Sequence, residues 1–133
     1  VINNGANFSY GCQYTSLILN CFHFFDFRDM LYDIKFISND GQLQFGVAEY
    51  PFWLNPAHFD LNDEVITYFE GKIDMIQNDS LRTELNNYII YLKTFNDPHI
   101  YALNYLKNFI KLGDETNNTV LPEELTYLKK YLI

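Results

Sequence analysis

Strands first and helices after, packed as an α+β domain with a small antiparallel sheet, is the fold this sequence predicts. Three observations predict it. Residues 32–36 and 43–49 alternate apolar and polar side chains on either side of Asn39-Asp40-Gly41, which is the chemistry of a hairpin. From residue 60 onward the apolar residues recur at helical spacing instead. The 133 residues, 48% hydrophobic and 18% aromatic, also suffice for one core without covalent staples. Residues 1–133 are therefore read as one domain. It has a loose lead-in over 1–11 and mainly β structure over 12–54, as a hairpin or three-strand meander. Residues 60–133 are mainly α, with about four helices laid on one face of the sheet.

Each element has its own reason. Residues 1–11 are polar and rich in Asn and Gly, as a loosely held terminus is. Residues 12–25, CQYTSLILNCFHFF, have the β-branched and aromatic content of a strand, but no clean period, so a buried helix is the alternative. Tyr32, Ile34 and Phe36 alternate with Asp33 and Lys35, as in a half-buried strand. Asn and Gly then tolerate the positive φ of a tight turn, and the return strand puts Leu43, Phe45 and Val47 on one face. Pro51 and Pro56 bracket Phe52-Trp53-Leu54, which end the strand and are expected to plug the sheet.

Helical patterning follows. Asp60 or Asn62 caps a helix whose Ile66, Phe69, Ile73 and Ile76 share a face, with Asp63 and Glu64 in its first turn. Asp79 or Ser80 opens a second helix carrying Leu81, Leu85, Tyr88, Ile89, Leu92 and Phe95. Asp97-Pro98 caps a third, which Gly113 is expected to end. So short a link predicts an antiparallel pair. Asp114–Val120 reads as a polar loop, and Pro122-Glu123-Glu124 as the start of a last short helix.

Charge is distributed unevenly. Residues 1–71 hold nine acids against two bases, Arg28 and Lys35, and no Lys or Arg occurs between Lys35 and Lys72. Residues 72–133 hold eight acids and seven bases, so the first half supplies nearly all of the net charge of −8. That balance disfavours nucleic acid and anionic membrane as partners and favours a basic protein. The longest apolar run, Leu17 to Phe25, is interrupted by Asn20 and His23 and is far shorter than the ~20 residues of a membrane span. No Lys or Arg precedes Arg28 to supply the basic region of a signal peptide. The expected setting is cytoplasmic.

Motifs that name a chemistry are missing from the sequence. The six glycines are scattered and form no phosphate loop. Ser9 lacks the flanking glycines of a nucleophile elbow. Cys12 and Cys21 read as buried or half-buried thiols rather than a disulfide framework, and His23 as a core or edge histidine. His58-Phe59-Asp60-Leu61-Asn62-Asp63-Glu64 has the look of metal ligands, yet no Gly stands sixth from Asp60 as a calcium loop requires. Capping carboxylates at a helix start explain it better. No cofactor is called for, His99 reads as a surface residue, and the protein is not expected to be an enzyme.

Small, single-domain, acidic and without motifs, the whole chain resembles in profile the bacterial toxin-immunity proteins of the contact-dependent-inhibition type. The resemblance implies an inhibitor that binds a cognate toxin, often a basic nuclease, by covering its substrate cleft or an exosite. Aromatic anchors with an acidic rim suit such an interface. The candidate contacts are Asp26, Asp29, Asp33, Asp40, Glu49, Asp60, Asp63 and Glu64, with Tyr50, Trp53 and Phe59 as anchors. Three other readings stand beside it. One is an acidic DNA mimic, as some phage-encoded antagonists are. Another is a small metal-dependent enzyme using His58 and nearby carboxylates, and the last a structural or adaptor subunit.

Overall fold

Helices and strands are both present, but the two strands run side by side in the same direction. The computed structural model describes residues 10–117 and 122–131. Strand β1 (Cys12–Ser16) pairs in parallel with β2 (Leu43–Val47), in register from Cys12↔Leu43 to Ser16↔Val47. Helix α1 (Phe24–Asp33) lies between them in sequence, and α2 (Asn62–Glu70), α3 (Asp79–Thr94) and α4 (Ala102–Asn117) follow. Short 3-10 turns fill Asp40–Gln42, Phe52–Leu54, Pro56–His58 and Ile73–Met75, and a longer 3-10 segment spans Glu123–Tyr131. The lead-in residues 1–9 and the loop residues 118–121 lie outside the described residues.

The mixed α+β class is as expected; the antiparallel hairpin is not. Parallel strands need a long crossover rather than a tight turn, and residues 24–33 supply it as helix α1. Phe24, Phe25 and Leu31 are its buried residues. The alternation of Tyr32 to Phe36 falls where α1 stops. There Phe36 N–H donates to the Leu31 carbonyl at 2.9 Å and Lys35 N–H to that of Tyr32 at 3.0 Å. These are the two bonds of a Schellman stop, and Lys35 holds the left-handed position with φ at 60°. Asn39-Asp40-Gly41 therefore turns no hairpin. It forms a 3-10 turn clamped to α1, because Arg28 Nε and Nη2 donate to the Asp40 carboxylate at 2.8 and 3.2 Å. The Tyr32 hydroxyl donates to the same carboxylate at 2.7 Å.

The segment 12–25 matches neither reading in full: it is strand to Ser16, turns at Ile18–Phe22, and enters α1 at Phe24. Helix α2 buries Val65, Ile66 and Phe69 but ends at Glu70, so Ile73 and Ile76 reach the core from the turn beyond. Asn78 caps α3 by accepting from Leu81 N–H at 2.9 Å, and all the predicted core positions within α3 are buried. The start of α4 falls at Ala102 rather than Pro98, and the helix continues through Gly113 to Asn117, which takes up the first part of the expected loop. Instead of lying along α3, it packs chiefly on the turn Phe52–Leu54. The expected plug of the sheet is thus a seat for α4.

Six rings form the centre: Tyr14, Phe24, Phe25, Phe45, Phe69 and Tyr88. Phe69 lies 5.5 Å from both Phe45 and Tyr88 and 5.9 Å from Phe24. Edge-to-face and tilted packing at these distances adds to the burial of each ring. Helix α3 is tied to the outer edge of β2, where Phe45 N–H donates to Glu84 Oε2 at 2.7 Å.

Two outcomes follow from these contacts. Lys35→Gly removes a side chain from a left-handed position, so chemical denaturation should show a gain of about 0.5–1 kcal/mol; a loss would contradict the stop described. Burial acts to raise the Asp40 pKa, but the bonds from Arg28 and Tyr32 outweigh it and hold the carboxyl below its ordinary value. The resulting stability is present above the unfolded pKa of about 3.9 and is lost as pH falls through the lower folded value. Asp40→Asn should flatten that acid limb of the unfolding profile.

Candidate functional site

Helix α4 is apolar over two arcs. Ala102 and Leu106 are fully buried, with Leu103 and Ile110 half-buried beside them. Tyr105, Phe109 and Leu112 occupy the outer arc, one turn beyond Tyr101, and all four are exposed, Tyr105 by 52% and Leu112 by 64%. A surface helix needs one apolar stripe to bind its own core. The second stripe lies outside the buried core.

Residues before α3 extend this face. Tyr50 is 86% exposed and precedes Pro51 across a cis peptide bond. The Phe52 ring lies 5.5 Å from Tyr105 and stacks on His99 at 3.7 Å, and Trp53 lies 4.9 Å from Phe109. His99 in turn lies 5.8 Å from Tyr101. The result is a continuous surface of rings running from Tyr101 through Phe52 to Tyr105, with Trp53 and Phe109 at its side. Contiguous exposed apolar area of this kind is uncommon on a monomer and marks contact surfaces.

Below the face sits His58. Its ring lies 5.1 Å from Phe95 and 6.0 Å from Phe52, and its Nδ1 accepts the His99 backbone N–H at 2.9 Å. Asn55 positions the turn that carries it, accepting from Ala57 N–H at 3.0 Å and donating to the Tyr91 hydroxyl at 2.9 Å. Burial and the neighbouring His99 lower the His58 pKa, while Asp97 acts to raise it.

The residues expected at a binding site fall into three groups. Asp26, Asp29 and Asp33 are exposed on α1. Asp60, Asp63 and Glu64 are exposed around the start of α2. Glu49 and Tyr50 are exposed just before the Phe52–Leu54 turn in sequence, and Trp53 is half-buried within the aromatic face. Two expected contacts lie inside the molecule: Asp40 is the buried partner of Arg28, and Phe59 is only 7% exposed. Neither offers its side chain to a partner. Tyr101, Tyr105, Phe109 and Leu112 are the residues the sequence reading missed, and spacings of four, four and three residues were their signal.

Among the described residues no three His, Cys, Asp or Glu side chains converge as metal ligands. His58 faces rings and His99, not the carboxylates that follow it in sequence. Cys12 and Cys21 are free, and burial pushes the Cys21 thiol up to about 12, so it is no thiolate nucleophile at neutral pH. Among the same residues no helix is long and apolar enough to cross a membrane. No protein-family model, curated protein or solved structure matches this chain.

Trp53 is the one tryptophan, so the face has its own optical probe. Phe109→Ala uncovers it and should shift its emission to the red. Because Phe109 is itself 46% exposed, the cost in unfolding free energy should be no more than about 1 kcal/mol.

Proposed function

We propose that this protein is an acidic binding inhibitor of the immunity type, which neutralises a basic toxin by covering its substrate cleft or a neighbouring exosite. The observation that carries the reading is the aromatic face in which Tyr101, Tyr105 and Phe109 are exposed and Phe52 and Trp53 half-buried, on a molecule of net charge −8. Exposed aromatics supply contact area at low entropic cost and are the usual hot spots of protein interfaces. Glu49 and Asp97, both exposed, place carboxylates near these residues in sequence. A nuclease is the toxin class that suits this charge, since its cleft must be basic to hold phosphates, and the cytoplasm is where such a toxin would be met.

The two kinds of residue have different work. Asp26, Asp29, Asp33, Asp60, Asp63 and Glu64 act at a distance, raising the rate of encounter. The rings act after contact and slow dissociation. An acidic DNA mimic would need carboxylates at phosphate-like intervals and would have no use for an aromatic face, so that reading is the weaker one.

Capture from the source cell's lysate and secreted fraction, at low and high salt, tests this. One basic protein should be retained in both, and Tyr101→Ser with Tyr105→Ser should weaken it by about 100-fold with an unchanged melting temperature. Reversing Asp60, Asp63 and Glu64 together to Lys should instead slow association by roughly tenfold at low salt, an effect that salt removes. Release of many basic proteins together by salt would sink the proposal.

A further inference from the structure

The loop from Asp97 to Tyr101 carries the upper part of the aromatic face, and two imidazoles hold it. His99 N–H donates to His58 Nδ1 at 2.9 Å, and Tyr101 N–H donates to His99 Nδ1 at 3.2 Å. An imidazole nitrogen accepts only while it is unprotonated. Each ring must therefore carry its one proton on Nε2 for its bond to exist. The next proton goes to Nδ1, the accepting atom, and abolishes the bond directly. The same event puts charge on a ring stacked at 3.7 Å on Phe52 or enclosed by Phe52 and Phe95.

We propose that His58 and His99 form a pH latch that fixes the Asp97–Tyr101 segment, and with it the partner-binding geometry of the aromatic face, only while both rings are neutral. The latch bears on the binding face proposed above, but it is a property of the free protein and is tested there.

On the loop itself Asp97 favours protonation of His58, and His99 opposes it. The Pro56–His58 turn brings the His58 imidazole, the end of α3 the Phe95 ring, and the Phe52–Leu54 turn the Phe52 ring. Tyr101 packs on His99 and Tyr105 on Phe52. Burial and His99 outweigh Asp97 at His58, whose folded pKa lies below its unfolded one. The latch thus contributes stability above the unfolded value of about 6.5 and loses it as pH falls through the folded one. In the cytoplasm the loop is held; in an acidified medium it is released.

NMR of the free protein between about pH 8 and pH 5 reads this directly. The His99 amide should lose its hydrogen-bonded shift in step with the His58 ring titration. Its protection against exchange should fall by about tenfold relative to that of the Leu85 amide in the core. His58→Asn keeps an uncharged acceptor near the Nδ1 position and should hold the His99 amide across the range. His58→Phe should leave it unprotected even at neutral pH. A His99 amide shift that stays flat while His58 titrates, or a neutral His58 with its proton on Nδ1, would overturn the latch. Neither result depends on finding a partner, so failure of the capture experiment and failure of the latch are separate outcomes.

Discussion

The contact on which the rest of the molecule depends is the packing of Phe24, Phe45 and Phe69 around one point. Each comes from a different element, α1, β2 and α2, and β1 adds Tyr14 while α3 adds Tyr88. Tyr14 and Phe45 stack at 5.9 Å, and they are also direct partners in the parallel register. A slip of one residue would turn every buried side chain of the slipped strand outward. The rings therefore fix the register, and the register fixes the direction of β2. Once β1 and β2 must run parallel and bring both rings to one face, the chain between them has to cross over, and α1 is that crossing. Its first two residues, Phe24 and Phe25, enter the core at the point where it begins.

This core accounts for α1, α2 and α3 but leaves α4 to a separate contact. The inner arc of α4 closes over Phe52–Leu54, a 3-10 turn that also receives the Ile18 amide, donated to the Leu54 carbonyl at 2.6 Å. Tyr105, Phe109 and Leu112 on the outer arc are covered only in part, Tyr105 by Phe52 and Phe109 by Trp53, and stay 52%, 46% and 64% exposed. On the proposed reading their open area is contact surface for another molecule, as is that of Tyr50, which leaves most of its surface open to solvent.

Helices α2 and α3 were legible in the sequence because their periodic residues point into one core, but their caps were not: α2 starts after Leu61 with no side-chain cap, and Asn78 rather than Asp79 or Ser80 caps α3. Nor was the sheet. Tyr32-Asp33-Ile34-Lys35-Phe36 alternates like a strand, but the alternation straddles a helix end, where successive side chains also diverge. Asn39-Asp40-Gly41 has hairpin composition, yet Asp40 is held inward by Arg28, a partner twelve residues away that no local pattern reveals. The positive φ expected near Gly41 occurs instead at Lys35, where composition gives no hint of it. Gly41 sits in a crowded place instead: a Cβ there would stand 2.9 Å from Asn39 Oδ1 and 3.1 Å from Asn78 Nδ2, so those side chains would have to shift. Of the candidate face, Trp53 was named in the sequence from its place in the acidic, aromatic stretch, together with its neighbours Glu49 and Tyr50. The outer arc of α4 was passed over because an aromatic stripe on a helix is so often core.

The Arg28–Asp40 pair also changes the meaning of the charge count. Taken together the two are neutral and turned inward, their side chains 12% and 6% exposed. They subtract one of the two bases and one of the nine acids of the first 71 residues, leaving Lys35 alone against carboxylates that are exposed on α1, at the start of α2 and at Glu49. The field outside this half is thus set almost wholly by surface acids. At physiological salt such a field reaches about 8 Å, enough to orient an approaching basic surface but too little to retain it. Retention needs desolvated contact, and on the proposed reading the rings of α4 and the half-buried Phe52 and Trp53 would supply it. Steering and retention would then be divided between different elements, so that substitutions in one should alter association and those in the other dissociation.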